Sequence, residues 1–358
     1  MSAGHLEFAY GDHRKRTSGV RICHNYINLN KRTVVEPYVM TNTFELLNRV
    51  AGATHISNLD MKQAYFQIEL EPLSQKFTSF QTPGWGTWVY LRMPMGLVNA
   101  SSTLQRIMDI VLRGAHRYAD KLLDDILVWT NDFDEHLTRL ADVLDRLRRA
   151  GLTLNVGKCH LATDRIKIFG FQVDRGLITP DDEKTKAVSD FPTPKTKKQL
   201  ASFVGLVGYF RGHLRNFAQS AYPLTELLAR HKPERLQWTE IHQRAFEELK
   251  RALISRPVLC PANMSKDFQI WADSSKTTLS AILMQEGERG DDTPKVISYA
   301  SRKLLPRESN YSTIERELLS IVLQSLNSDS IFSPKRFGSN RITARLLILI
   351  LWSKAAAD

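Results

Sequence analysis

Two adjacent carboxylates, Asp124 and Asp125, stand in the stretch Lys121-Leu-Leu-Asp-Asp-Ile-Leu-Val-Trp129, between the apolar runs Leu122-Leu123 and Ile126-Leu127-Val128-Trp129. Each run reads as a short buried strand, which puts the acidic pair at the tip of a β-hairpin. Aspartate favours turns in any protein, so such a pair can arise without a function. Two further pairs act as controls: Asp181-Asp182 and Asp291-Asp292 lie in polar, Pro- or Gly-flanked loops, where solvation accounts for them. Only Asp124-Asp125 is pinned between hydrophobic strands. Like charges held at a core edge repel each other and lose hydration unless a cation neutralises them. The chemistry this implies is a divalent metal site.

The elements that must position these groups follow from the pattern along the chain. The opening carries a basic cluster, His13-Arg-Lys-Arg16, open to reading as a solvated hairpin tip or a phosphate contact. The stretch from Val20 through Leu29 alternates like a strand that runs into a polar turn, and Thr43 to Val50 suits a short helix. Thr54 to Asp60 alternates and ends on a third carboxylate, which could equally cap a following helix. Gln75 to Phe80 and Thr87 to Leu91 read as a strand pair around Pro83-Gly84-Trp85-Gly86. A helix follows Met93-Pro-Met-Gly-Leu, with Ser101, Ser102 or Thr103 as its cap and Leu104, Met108 and Val111 on one face. Phe133 to Ala150 is an amphipathic helix with Leu137, Leu140, Leu144 and Leu147 at helical spacing, acids in its first turn, arginines in its last and Gly151 as its stop. Gly170 to Gly176 reads as strand and turn, and the Pro- and charge-rich stretch 180–194 marks a boundary between lobes. Helices are expected over Gln199 to Leu214, Pro223 to Leu228 and Thr239 to Leu253, and strands over Phe268 to Asp273, Leu279 to Gln285 and Val296 to Ala300. Ser312-Thr-Ile-Glu315 is a capping box opening the helix Ile314 to Leu326. Past Asn327 the pattern degrades.

The chain of 358 residues has the length for two or three domains, and its formal charge of +11 suits a polyanionic partner, most commonly nucleic acid. Cys23, Cys159 and Cys260 are far apart and lack metal-ligand spacing, as expected of thiols in a reducing compartment. The N-terminus has no apolar signal core, and Leu346 to Trp352 is too short to span a bilayer. An intracellular protein without a membrane partner is therefore expected, with cytoplasmic particle and nucleus both open.

Taken in order, Arg21…Leu29-Asn-Lys, Leu59-Asp60 with Tyr65-Phe-Gln-Ile, Met93-Pro-Met-Gly-Leu, Leu123-Asp-Asp-Ile-Leu-Val, Lys158-Cys and Phe169-Gly resemble the reverse transcriptase of gypsy-type LTR retrotransposons and their retroviral cousins. Downstream, Ser202-Phe-Val-Gly-Leu-Val-Gly-Tyr-Phe-Arg, Ala221-Tyr-Pro-Leu-Thr-Glu-Leu-Leu, Asp273-Ser and Tyr311-Ser-Thr-Ile-Glu-Arg-Glu-Leu-Leu look like the thumb, connection and RNase H-like region of that Pol polyprotein. The resemblance covers about residues 14 to 326. It implies an α+β right-hand polymerase, truncated at both ends: partial fingers and palm over 1–178, thumb and connection helices over 179–262, an incomplete RNase H-like α/β domain over 263–326 and an unrelated tail over 327–358.

By motif match the polymerase carboxylates are Asp60, Asp124 and Asp125, holding Mg²⁺ (or Mn²⁺) for attack of a primer 3′-hydroxyl on a deoxynucleotide. The implied partners are an RNA template, a DNA primer or RNA–DNA hybrid, dNTP and other parts of a Pol polyprotein. Tyr65 matches an aromatic beneath the sugar that rejects a 2′-hydroxyl, with ordinary packing as the alternative. Arg21 matches a triphosphate clamp. Lys158 matches a candidate acid for the leaving pyrophosphate, with a solvated loop lysine as the alternative. Phe169-Gly170 matches the hairpin that grips the primer end. Asp273 and Glu317 are the remaining metal carboxylates of the RNase H-like part, and without a later Thr-Asp block that part is expected not to cleave a hybrid. The chain departs from the family pattern at Leu122, where tyrosine is usual, at the charged Asp120 and Lys121, and at Cys23-His-Asn-Tyr-Ile27. A decayed or repurposed copy that only binds nucleic acid is the alternative reading, and a nuclease acting through Asp273 and Glu317 is a third.

Overall fold

The computed structural model describes residues 24–328, apart from 83, 230–231, 256 and 288–292, together with 347–348. The chain divides into two compact units, Met1–Leu46 with Thr54–Asp164, and Leu47–Ala53 with Arg165–Asp358. Through the first unit run the helical turn α1 (Ile27–Asn30), helix α2 (Thr43–Ala51, whose end belongs to the second unit), strand β1 (His55–Asp60), the short α3 (Pro72–Gln75), strands β2 (Phe80–Thr82) and β3 (Gly86–Trp88), helix α4 (Ala100–Val111), strands β4 (Ala119–Leu122) and β5 (Asp125–Thr130), helix α5 (Phe133–Arg149) and strand β6 (His160–Thr163).

Its main sheet has the order β4-β5-β1-β6, antiparallel throughout. Alternation sends Leu59, Ile126, Val128 and Ala119 to one face, where they pack with Leu104 and Met108 of α4 and Leu140, Val143 and Leu147 of α5. Burying each of these larger side chains stabilises the unit by about 2 kcal/mol. The same face buries His136 and Lys121, both satisfied. His136 of α5 lies 2.7 Å from the Ser57 hydroxyl and 3.1 Å from that of Thr130. Lys121, only 1% exposed, pairs with Asp109 of α4 and lies 3.8 Å from Asp120. Asp109 in turn accepts the Tyr38 hydroxyl.

Several sequence expectations are corrected here. The described end of the supposed strand at 20–29 is helical at Ile27–Asn30, because the Asn25 side chain accepts the Ile27 amide at 2.9 Å and starts a turn. Gln75 to Thr78 is helical too, so the β2–β3 pair is only three residues long on each side. Asn99, not Ser101, Ser102 or Thr103, precedes α4. Leu137 and Leu144 of α5 are exposed, and His136 and Val143 complete the buried stripe instead. Asp60 caps no helix; strand β1 ends there and the next turn begins after Gln63.

The second unit opens with the meander β7 (Arg165–Ile168), β8 (Phe171–Asp174) and β9 (Leu177–Pro180), followed by helices α6 (Asp182–Ser189), α7 (Lys197–Gly208), α8 (Phe217–Leu227) and α9 (Glu240–Ile254). Leu200, Phe203 and Val207 of α7, Leu224 of α8 and Phe246 and Leu249 of α9 are all buried, with the Phe203 and Phe246 rings 4.4 Å apart. Strands β10 (Gln269–Ser274), β11 (Thr278–Gln285) and β12 (Lys295–Lys303) follow, then helix α10 (Thr313–Asn327) with its capping box, and β13 (Leu347–Ile348), which pairs parallel with β10. The control pair Asp181-Asp182 is not simply solvated: Asp181 is buried and pairs with Lys167 at 2.8 Å. Asp291-Asp292 lies outside the described residues.

The buried Lys121 gives a direct test of the first unit. Asp109→Asn leaves the ammonium with only the more distant Asp120, and a stability loss of about 3 kcal/mol is expected in urea melts. Lys121→Met should lose less, because Asp109 is a third exposed and keeps the Tyr38 hydroxyl.

Candidate active site

Strand pairing sets Asp60 directly opposite Asp125. Alternation then places both carboxylates and Asn58 on the face away from Leu59 and Ile126. The β4–β5 pairing ends at Leu122 and Asp125, leaving Leu123 and Asp124 as the hairpin loop. Leu123 is therefore turn, not strand, and has a left-handed backbone (φ 57°). The Asp124 carbonyl accepts the Met61 amide at 3.0 Å, which ties the loop to the end of β1.

Burial pushes the Asp125 carboxyl above the ordinary carboxylate range; the Asn58 amide, 3.3 Å away, opposes this, Asp124 and Asp60 raise it further, and Lys158 lowers it. Lys158 closes a 3₁₀ turn, Val156–Lys158, and its ammonium lies 3.5 Å from Asp60. The Asn155 amide holds that turn by donating to the Asp60 carbonyl at 2.8 Å. An all-oxygen set of mutually repelling carboxylates fits a hard divalent cation. Among the described residues, no three His, Cys, Asp or Glu side chains are gathered closely enough to enclose an ion by themselves. Some ligands would have to come from a bound molecule.

Tyr65 lies in the 3₁₀ turn Ala64–Gln67, packs against the hydrophobic core and shares a 3.1 Å hydrogen bond with the Ser101 hydroxyl of α4. Gln67 fixes this turn by donating to the Lys62 and Thr153 carbonyls at 2.6 and 2.9 Å and accepting the Thr153 amide at 2.7 Å. The supporting roles of Asn58, Ser101 and Gln67 are not read from the sequence; only Asn58 carries a signal, standing two residues before Asp60 on the same strand face. Arg21, Cys23 and the basic cluster at 13–16 lie outside the described residues.

In the second unit, Phe169 and Gly170 form the two-residue loop between β7 and β8. Asp273 is exposed on β10 and Glu317 half-buried on α10. That helix is fastened over β10 where the Ser320 hydroxyl donates to the Asp273 carbonyl at 3.3 Å and Arg316 donates to the Ser275 carbonyl at 3.0 Å. Cys159 and Cys260 are free thiols. No helix among the described residues is long and apolar enough to cross a membrane.

Because the fold disfavours ionised Asp125, its raised pKa contributes stability below the ordinary value of 3.8 that is lost as pH rises through the folded value. Asp125→Asn should therefore raise Tm by a few degrees near neutral pH without divalent ions, with the gain fading as pH falls through the carboxylate range. A thermal-melt series in chelator checks this, and a variant that melts lower at neutral pH would contradict it.

Comparison with known proteins gives a consistent result. Residues 14–173 match the family described as reverse transcriptase (RNA-dependent DNA polymerase), and residues 238–337 match the RNase H-like domain found in reverse transcriptase. The chain is 34% identical over 306 residues to the Retrovirus-related Pol polyprotein from transposon 297 of Drosophila melanogaster, covering 84% of this chain and 28% of that one. It is 30% identical over 309 residues to the Transposon Tf2-3 polyprotein of Schizosaccharomyces pombe, covering 86% and 23% respectively. The chain thus spans about a quarter of the length of these relatives. Its fold is that of the foamy viral protease-reverse transcriptase, solved with RNA/DNA hybrid (TM-score 0.75, 22% identity, 87% of this chain and 41% of that chain) and with dsDNA (TM-score 0.74, 22% identity, 87% and 64%). Residues 14–173 are a reverse transcriptase domain, and residues 238–337 an RNase H-like domain, related to the Pol polyproteins of transposons.

Proposed function

We propose that the chain is the RNA-directed DNA polymerase of a gypsy-type LTR retrotransposon, extending a DNA primer on an RNA template with dNTPs and working with other parts of a Pol polyprotein. The observation that carries this reading is the pairing of Asp60 with Asp125, with Asp124 in the adjoining loop and Lys158 beside them. Fingers and palm are assigned to 1–178, thumb and connection helices to 179–262, and 263–326 to the central part of the RNase H-like domain matched over 238–337.

Asp60, Asp124 and Asp125 would hold Mg²⁺ (or Mn²⁺), which when bound would lower the pKa of the primer hydroxyl and offset the negative charge of the departing pyrophosphate. Burial first, and the neighbouring Asp124 and Asp60 after it, raise the Asp125 pKa, and a bound cation would offset both. Lys158, 3.5 Å from Asp60, serves as the acid for the departing pyrophosphate. Tyr65, held by Ser101, presents its ring beneath the sugar and excludes a 2′-hydroxyl. Arg21 grips the triphosphate, and Phe169-Gly170 supports the primer end. Since the chemistry rests on positioning and charge, loss of a carboxylate is severe.

Leu122, where the resembled family usually has tyrosine, favours a second reading, a remnant that binds nucleic acid without extending it. Primer extension on RNA with Mg²⁺ separates the two. The Asp124→Asn, Asp125→Asn double variant should lose about 10³-fold or more in rate, whereas a folded, hybrid-binding wild type that extends nothing identifies the remnant. In the second domain, with Asp273 and Glu317 as its two candidate ligands, a labelled RNA–DNA hybrid in Mn²⁺ should stay uncut. Efficient cleavage there would overturn this part.

A further inference from the structure

The β7–β8 loop has a conformation at odds with its sequence. Both residues have positive φ, 52° at Phe169 and 79° at Gly170, the backbone of a two-residue turn that Asn-Gly or Gly-Gly adopts without strain. A phenylalanine in the first position is a conformational outlier and persists only where the surroundings over-determine it. The surroundings here do so at both loop carbonyls. The Asp181 amide donates to the Gly170 carbonyl at 2.9 Å, and the Asp181 side chain returns to β7 through Lys167 at 2.8 Å. The Tyr209 hydroxyl, just past the end of α7, donates to the Phe169 carbonyl at 2.6 Å. A Cβ at Gly170 would meet Lys184 at 3.5 Å and the Tyr209 ring at 3.7 Å, so the loop is closed in from the helical side.

We propose that Tyr209 is a positioning residue for the primer: its hydroxyl latches the Phe169 carbonyl, holds the strained loop in its left-handed form and ties it to helix α7. The inference rests on the assignment of Phe169-Gly170 to the primer end. Tyr209 is suited to the task in two further respects. Its ring is independently anchored against Phe171 and Phe210, at centroid distances of 5.6 and 5.0 Å. Burial also raises the pKa of its hydroxyl, so the group stays a donor through the neutral range. The aspartate side of the loop fixes it to the sheet, and the tyrosine side fixes it to the helices. Loop and helix should therefore respond as one body when a duplex is engaged.

Tyr209→Phe removes one oxygen and keeps the ring packing, so the fold should survive. Amide hydrogen exchange across Lys167 to Phe171 reads the latch itself, and the dissociation rate of a fluorescent RNA–DNA primer–template reads its consequence without requiring catalysis. Several-fold faster exchange in the loop is expected, together with about fivefold faster dissociation, the loss of one neutral hydrogen bond, and, where extension is measured, a raised KM for the primer–template against an unaltered KM for dNTP. Unchanged loop exchange would overturn the latch, and faster exchange with unchanged dissociation would overturn its role in primer positioning. A wild type that binds the hybrid but extends nothing sinks the polymerase reading alone, since dissociation still reports on Tyr209.

Discussion

Asp60 and Asp125 meet only because β1 and β5 pair in one particular register. Side chains alternate along a strand, so a slip of a single residue would turn Asp60 into the core and bring Leu59 out to the opposite face. Two carboxylates facing each other are themselves unfavourable, and nothing in their own interaction would select that arrangement. The register is imposed from behind, by Leu59, Ile126 and Val128 packing on α4 and α5. The hydrophobic effect on one face of the sheet thus holds electrostatic repulsion in place on the other. The Met61 amide on the Asp124 carbonyl and the Asn155 amide on the Asp60 carbonyl add backbone bonds at the two ends of the cluster.

The same sheet explains residues that depart from the family pattern. Lys121 replaces an apolar side chain in β4 yet sits on the core face, where Asp109 and Tyr38 turn it into a closed polar group. Such a compensated charge is compatible with a well-packed domain, because its partner comes from the helix that already covers the strand. Leu122 lies on the opposite face beside the carboxylates, where no comparable compensation is needed for folding. Departures on the two faces therefore carry different meanings: one concerns stability, the other the chemistry of the cleft.

Much of this arrangement was legible in the sequence, and the exceptions have physical causes. The acidic pair between apolar runs, the capped helix at Ser312 and the terminal charges of α5 are local signals, and the structure has the elements they describe. The buried stripe of α5 was misjudged because histidine reads as polar, while His136 is buried through hydrogen bonds to Ser57 and Thr130 that no linear pattern reveals. Asp181 reads as a solvated loop residue for the same reason, its partner Lys167 being on strand β7. The supports of the site, Ser101 for Tyr65 and Gln67 across to Thr153, join residues far apart in the chain and follow from the fold alone. Sequence patterning finds the faces of elements; it does not find which polar groups meet across them.

The central place of β1 has a consequence for how the chain comes to be folded. Its neighbours on both sides, β5 and β6, are synthesised some seventy to a hundred residues after it. Until then both edges of β1 carry unpaired amides and carbonyls, and its apolar face lacks the helix pair that covers it. Non-local pairing of this kind is slow to form and prone to association with other chains while it waits. On the ribosome, the strand bearing the first carboxylate gains both sheet partners only after the emergence of His160–Thr163, and chaperone cover would protect its open edges until then.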